Sequence, residues 1–351
     1  MQPKDENIET LRGLAILLVV IGHAIGGSRE YGLKISDDSY YHFAYFSLQY
    51  LRLPLFTTIS GFVYALKPVR QGELYKFIVG KGRRILVPFF CVGTLQFIIA
   101  SIVPYVHHPT SLSSLWLIYF YPYAQFWFLQ ALMLMLIAIG CVENRIPLHS
   151  FFLWALCFVA VLLANSFPLN VELFSFTKFL YLFPFFLLGI GLKRFAPIFF
   201  QRRLIFPLFL IFLLSFTFQQ LTWFKVVDFQ YFISWRLNLI EGFSGMICLF
   251  YIKGQLKLKW LAYIGNFAYS IFLFHTFFTS GSRIILQQMG IADHFSLFSI
   301  SVLLGILLPI LAEKLLSKNS YARFFFLGQK FGWQRETDAA RHSMPNVLQN
   351  F

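Results

Sequence analysis

Residues 9–27 read ETLRGLAILLVVIGHAIGG, an apolar run in which only Arg12 and His23 follow Glu9 as ionisable side chains. At 1.5 Å of rise per residue, about 20 apolar residues carry a helix across the hydrocarbon core of a bilayer. Working outward from the first segment at 11–28, further apolar segments fall at 50–67, 85–104, 123–142, 150–166, 173–192, 204–222, 238–252, 262–281 and 296–312. Two edges stay open: 105–124 mixes interface aromatics with Pro109 and Pro122, and the eighth segment is short. The apolar runs are continuous rather than alternating, which disfavours β-barrel spans. The pattern predicts an all-α, polytopic membrane protein of about ten transmembrane helices.

Composition agrees. Hydrophobic residues make up 58% of the chain and charged residues only 13%, with a mean hydropathy of +0.67, whereas soluble domains carry roughly a quarter charged residues. The 46 Phe and 17 Tyr are expected to fill helix interfaces and face lipid. Cys91, Cys141, Cys157 and Cys248 lie in or beside apolar stretches without CxxC spacing, so neither a disulfide scaffold nor a thiolate metal site is expected. The opening MQPKDENIET carries both signs of charge and does not resemble the basic start of a cleaved signal peptide.

The net charge of +14 would suggest nucleic acid in a soluble protein. Here its distribution reads as topology. One set of connections, from Lys67 to Arg323, holds seventeen Lys and Arg, and the alternate set holds five: Arg29, Lys34, Lys225, Arg236 and Arg283. By the positive-inside rule both termini are expected in the cytoplasm, and no nucleic-acid partner is implied. The chain divides into a membrane domain over 1–323 and a polar cytoplasmic tail over 324–351.

Ionisable groups within spans need a partner or a cavity, so they carry the functional reading. Arg12 and His23 are eleven residues apart, close to three turns, which puts them on one face of a helix about 16 Å apart. Gly13 and Gly22 admit a neighbour or a ligand beside them. Arg12 alone equally suits snorkelling to lipid phosphates. Arg52 stands near the outer end of the second segment, ahead of Pro54, Ser60 and Gly61, where pairing with Asp37 or Asp38 is the alternative to facing His23. His275 lies in the outer half of the ninth segment, in IGNFAYSIFLFHTFF with Tyr269. Glu241 is a possible carboxylate partner on the eighth, and Glu313 has Lys314 or Lys318 close by. Lys81, Arg83 and Arg84 crowd the cytoplasmic base of the third, with more charge than topology alone requires. His107, His108, His149 and His294 fall in connections.

The chain contains no GxSxG elbow, GxxxxGK loop, HExxH or DxD pair. Histidine, arginine, hydroxyls and a few carboxylates inside a membrane suit general-base activation of a hydroxyl or proton-coupled transport. An imidazole in apolar surroundings stays neutral, as a base must.

Taken together, LRGLAILLVVIGH (11–23), RLPLFTTISGF (52–62), KGRRILVPFF (81–90), QFWFL (125–129), IGNFAYSIFLFH (264–275) and LAEK (311–314) resemble the integral-membrane acyltransferases of family 3, which O-acetylate surface polysaccharides and other extracytoplasmic glycans. The resemblance implies a ten-helix enzyme, multi-pass in the bacterial inner (plasma) membrane. Acetyl-CoA or another acyl-CoA would be the donor substrate, with no permanently bound cofactor and no metal. A glycan or lipid-linked saccharide hydroxyl would be the acceptor. His23 would be catalytic, with Arg12 and Arg52 positioning donor or acceptor. Lys81, Arg83, Arg84 and Arg12 would hold the donor phosphates, the pantetheine arm running past Arg12 and Gly13 to His23. Ser60, Glu241, Tyr269 and His275 would support the acceptor. An exporter of a glycan intermediate, without acyl transfer, is the alternative function.

Overall fold

A computed structural model describes residues 5–103, 111–167, 169–227 and 231–331. Among them the regular structure is helical: α1 (Glu6–Ile25), α2 (Tyr40–Leu66), α3 (Leu74–Ile102), the short α4 (Leu117–Phe120), α5 (Trp127–Arg145), α6 (Phe151–Asn165), α7 (Phe176–Arg194), the single-turn α8 (Ala196–Phe199), α9 (Arg202–Trp223), α10 (Tyr231–Ile252), α11 (Lys259–Asn266), α12 (Ala268–Gln288), α13 (His294–Leu316) and α14 (Ser320–Leu327). A helix stands at each of the ten apolar segments. Among the described residues six helical stretches are long and apolar enough to cross a membrane, and the α11–α12 pair makes a seventh if counted as one bent span.

The helices depart from the sequence boundaries in three informative places. The ninth segment is not one rod, because α11 and α12 meet at an 80° bend. The eighth is a full 22-residue helix that starts at Tyr231. Finally, α12 runs on to Gln288, so Arg283, expected in an outer connection, is inside a helix and only 6% exposed. At the C-terminal side, α14 crosses the boundary expected between residues 323 and 324. Its Leu327 is buried, and Arg83 Nη1 donates to the Gly328 carbonyl at 2.9 Å. Residues 332–351, like His107, His108 and Pro109, lie outside the described residues.

Local chemistry explains the ends of α1. Asp5 caps it by accepting from the Asn7 amide at 3.0 Å, with Glu6 and Glu9 in the first turn where the helix dipole favours negative charge. At the other end Gly26 has φ +88° and closes on the Gly22 carbonyl. The chain then folds back until the Leu33 amide reaches the Ile25 carbonyl at 3.0 Å. Pro54 removes one backbone donor from α2 without ending it. A helix in apolar surroundings tolerates this when hydroxyls serve nearby carbonyls, and Thr57 Oγ1 donates to Leu53 at 2.8 Å.

Glycines set the tightest crossings. An added Cβ at Gly61 would lie 1.9 Å from the Phe186 carbonyl oxygen, and one at Gly189 would lie 2.0 Å from that of Thr58, so α2 and α7 touch backbone to backbone. Gly13 and Gly265 do the same for α1 and α11, against the carbonyls of Leu261 and Glu9. Phenylalanine fills the interior, with Phe89, Phe126, Phe128, Phe185, Phe186 and Phe250 fully buried, and it also covers the periphery at Phe152 and Phe206.

Candidate active site

His23 occupies the last turn of α1, and the loop through Gly26, Gly27 and Gly32 closes above it. Its imidazole is exposed to a cavity of about 470 Å³ at the end of the bundle opposite the N-terminus. That size is within the range of ordinary small-molecule pockets. α2 contributes Tyr45, Arg52 and Leu53, α3 contributes Gln96, the start of α5 contributes Trp127 and Phe128, and α12 contributes Phe272, Thr276, Ser280 and Arg283.

Arg52 reaches this place because residue 22 is glycine. A Cβ there would lie 1.6 Å from Arg52 Nη1, so the guanidinium lies directly against the backbone next to His23. Its other contact is the Tyr45 ring, 4.0 Å from Cζ to the centroid. Neither alternative pairing, with Asp37 or with Asp38, is formed among the described residues, and Asp37 instead meets Arg29 Nε at 2.9 Å. The antiparallel arrangement of α1 and α2 thus brings Arg52 to the level of His23.

His275 is the neighbour on α12. Its ring centroid lies 4.9 Å from that of His23, with the planes at 61°. His275 Nδ1 is 2.9 Å from the carbonyl oxygens of both Ile271 and Phe272. Carbonyls only accept, so Nδ1 carries the proton and Nε2 keeps a lone pair. That Nε2 is buried without a hydrogen-bond partner in the structure.

A neutral polar cluster forms the wall beyond the histidines. Gln125 Nε2 donates to Gln96 Oε1 and to Thr276 Oγ1, both at 2.9 Å, and Thr276 Oγ1 donates to Gln96 Oε1 at 2.9 Å. Gln125 is 2% exposed, and it is turned inward by Ala124, a non-glycine residue at φ +42°. The sequence reading singled out none of Gln96, Gln125, Thr276 or Arg283 for the site. Polar residues inside apolar runs were the available signal for the first three.

The remaining expected residues lie elsewhere. Arg12 pairs with Glu9 at 2.7 Å near the other end of α1. Gly13 offers no room for a pantetheine arm, because the Leu261 carbonyl fills it, and Ile16, on the same face between Arg12 and His23, is fully buried. Lys81, Arg83 and Arg84 sit at that same end on α3, where Tyr269 donates to the Arg84 carbonyl at 2.6 Å. Tyr269 is therefore tied to the base of α3 and does not line the cavity. Ser60 Oγ donates within its own helix, to Phe56 at 2.9 Å. Glu241 is buried on α10 with Oε1 unpartnered, and it too does not line the cavity.

A helical membrane protein in which one imidazole, backed by a second buried behind it, and a guanidinium face one cavity has the parts of a membrane-embedded transferase. The chain belongs to acyltransferase family 3, whose sequence profile, described as an acyltransferase domain, matches residues 5–314. No curated protein and no solved structure matches the chain.

Proposed function

We propose that the protein is an acyl-CoA-dependent O-acyltransferase that delivers an acetyl group to a hydroxyl of an extracytoplasmic or surface glycan, or of a lipid-linked saccharide. The observation that carries this reading is the imidazole of His23, open to the cavity, braced by His275 and flanked by Arg52. In this reading the ten helical segments span the bacterial inner membrane with both termini in the cytoplasm, as the seventeen-to-five distribution of Lys and Arg favours. The cavity then opens toward the far face, and Lys81, Arg83, Arg84 and Arg12 face the cytoplasm, where the donor's phosphates remain while its pantetheine arm reaches the cavity by a route other than the filled face at Gly13. The family membership supports acyl transfer. Donor, acceptor and topology are the proposal.

The chemistry follows from what each group can do. His23 accepts the proton of the acceptor hydroxyl as its oxygen attacks the thioester carbonyl. Negative charge that develops on the carbonyl oxygen is stabilised by Arg52, which is fixed in place before the reaction. The carbon–sulfur bond then breaks, and the departing thiolate takes the proton back from His23, leaving the ester and free CoA. His275 donates from Nδ1 to backbone carbonyls and holds the plane of His23, so it is a positioning residue.

The test is transfer of radiolabelled acetyl from acetyl-CoA to glycan by the purified protein in nanodiscs, with His23→Ala alongside. The variant is expected to lose about 10²–10⁴ of the transfer rate while still binding acetyl-CoA. Normal transfer by His23→Ala would overturn the role of His23. In a deletion strain, exported glycan that lacks acetyl-sized mass increments supports the enzyme, whereas loss of export of an otherwise intact glycan supports the exporter.

A further inference from the structure

The charge on the cavity wall is one-sided. Arg52, Arg283 and His23 line it, and no Asp or Glu does. Among the described residues no carboxylate lies within ion-pair distance of either arginine. The paired acids are engaged elsewhere, Asp37 with Arg29, Glu9 with Arg12 and Glu143 with Arg194. Buried guanidinium groups are ordinarily paired, since an uncompensated charge in a low-dielectric interior is unfavourable. Here the Tyr45 ring covers one face of Arg52, a contact that leaves the N–H edges of a guanidinium available for an oxyanion.

Arg283 is the more specific signal. It is 6% exposed, and among the described residues no hydrogen bond or ion pair holds it. On α12 it follows Thr276 and Ser280 at helical spacing, and all three line the cavity. The base of α3, with Lys81, Arg83 and Arg84, is a separate basic region. Arg84 and Gln96 are twelve residues apart on one helix, which places that base about 18 Å from the cavity wall. Two basic regions at opposite ends match two substrates, each with its own negative charge.

We infer that the acceptor entering the His23 cavity is an acidic saccharide whose carboxylate or phosphate is held by Arg283, leaving Arg52 to the reacting carbonyl, so that Arg283 selects acidic over neutral sugars. This rests on the acyl-transfer reading of the cavity in assigning the bound anion to an acceptor. Recognition itself is a binding property, independent of turnover.

The full chain in phosphatidylcholine nanodiscs is titrated with methyl glucuronoside, glucose 1-phosphate and neutral methyl glucoside, and separately with CoA. At least one acidic probe is expected to bind about tenfold or more tightly than methyl glucoside, as charge-assisted bidentate contacts allow. Which of the two does so separates carboxylate from phosphate. Arg283→Gln is expected to remove that preference, Arg283→Lys to retain part of it, and CoA affinity to stay unchanged in both. Acidic probes that bind no better than the neutral one, or not at all, would overturn the inference from the wild-type protein alone. So would a preference that survives in Arg283→Gln, or a loss confined to CoA. If the preference holds while acetyl transfer is absent, the anion site stands and the enzymatic reading falls. If acidic and neutral acceptors are acetylated equally well, the enzymatic reading stands and the selectivity falls.

Discussion

His275 meets His23 edge to face, with ring centroids 4.9 Å apart, while its own Nδ1 is held by two carbonyls of the preceding helical turn. The second imidazole is thereby locked in orientation and tautomer, and it limits how the first can turn. Replacing His275 with Phe keeps the bulk and loses the anchoring bonds. The expected result is a fall in kcat of about ten- to hundredfold with a displaced pH–rate profile. His275→Asn places an amide donor near the Nδ1 position and should recover part of the rate. Steady-state kinetics across pH on the three proteins checks this, and an unaltered profile for His275→Phe would remove His275 from the mechanism.

Gly22 and Gly61 look alike in the sequence and differ in what lies against them. At Gly22 the obstacle is Arg52 Nη1, the far end of a flexible side chain, whereas at Gly61 it is the Phe186 backbone carbonyl. Gly22→Ala is therefore expected to leave the thermal midpoint nearly unchanged, because alanine's helix preference of about 1 kcal/mol offsets the displacement. It should still cost about tenfold or more in turnover by moving Arg52 off His23. Gly61→Ala cannot be relieved by a rotamer change, and α2 must separate from α7 at a cost of about 3 kcal/mol. Melting curves and transfer rates measured on the same preparations distinguish the two.

What could be read from the sequence follows from the cost of charge in apolar surroundings. His23, Arg52 and His275 stood out because an ionisable group in an apolar run demands a reason, and the cavity supplies one. Arg283 escaped because the apolar signal fades at residue 281 although α12 continues to Gln288. Gln125 escaped because a neutral amide is cheaper to bury than a charge, and because the positive φ of Ala124 that turns it inward has no glycine to announce it. Gly13 was correctly read as a place of close approach, but a glycine does not say what approaches. The structure answers Leu261 rather than a ligand. The bend between α11 and α12 falls at Gly265 and Asn266, a short polar interruption of an otherwise apolar stretch, with no proline to mark it.

Gln125, in the turn that leads into α5, ties that turn to α3 and α12 at the cavity wall through Gln96 and Thr276. Gln125→Leu preserves size and leaves both partners short of a hydrogen bond in a site that is 2% exposed at residue 125. The stability cost is expected at about 1–3 kcal/mol. These groups line the cavity, and on the proposed acyl-transfer reading they contact the acceptor and not the His23 proton, so KM for the acceptor should rise about tenfold with kcat nearly kept. A loss confined to kcat would place Gln125 in the chemical step instead.

At the opposite end, Glu143 on α5 is gripped by Arg194 of α7 and by Tyr64 of α2, whose hydroxyl donates to Oε2 at 2.7 Å. Arg194 Nη1 also donates to the Leu148 carbonyl at 2.9 Å, tying in the turn before α6. Glu143 is 3% exposed, so its removal strands a guanidinium that is itself largely buried. Glu143→Ala should destabilise the protein by about 3–5 kcal/mol, and Tyr64→Phe by about 1.5–3 kcal/mol through loss of one hydrogen bond to a charged group. The double variant should cost less than the sum of the two, since Tyr64 acts through the same carboxylate. None of the three residues lines the cavity, so acyl transfer per folded molecule should be unchanged. Unfolding midpoints and active-fraction-corrected rates test both halves, and a rate loss without a stability loss in Tyr64→Phe would show that this cluster communicates with His23.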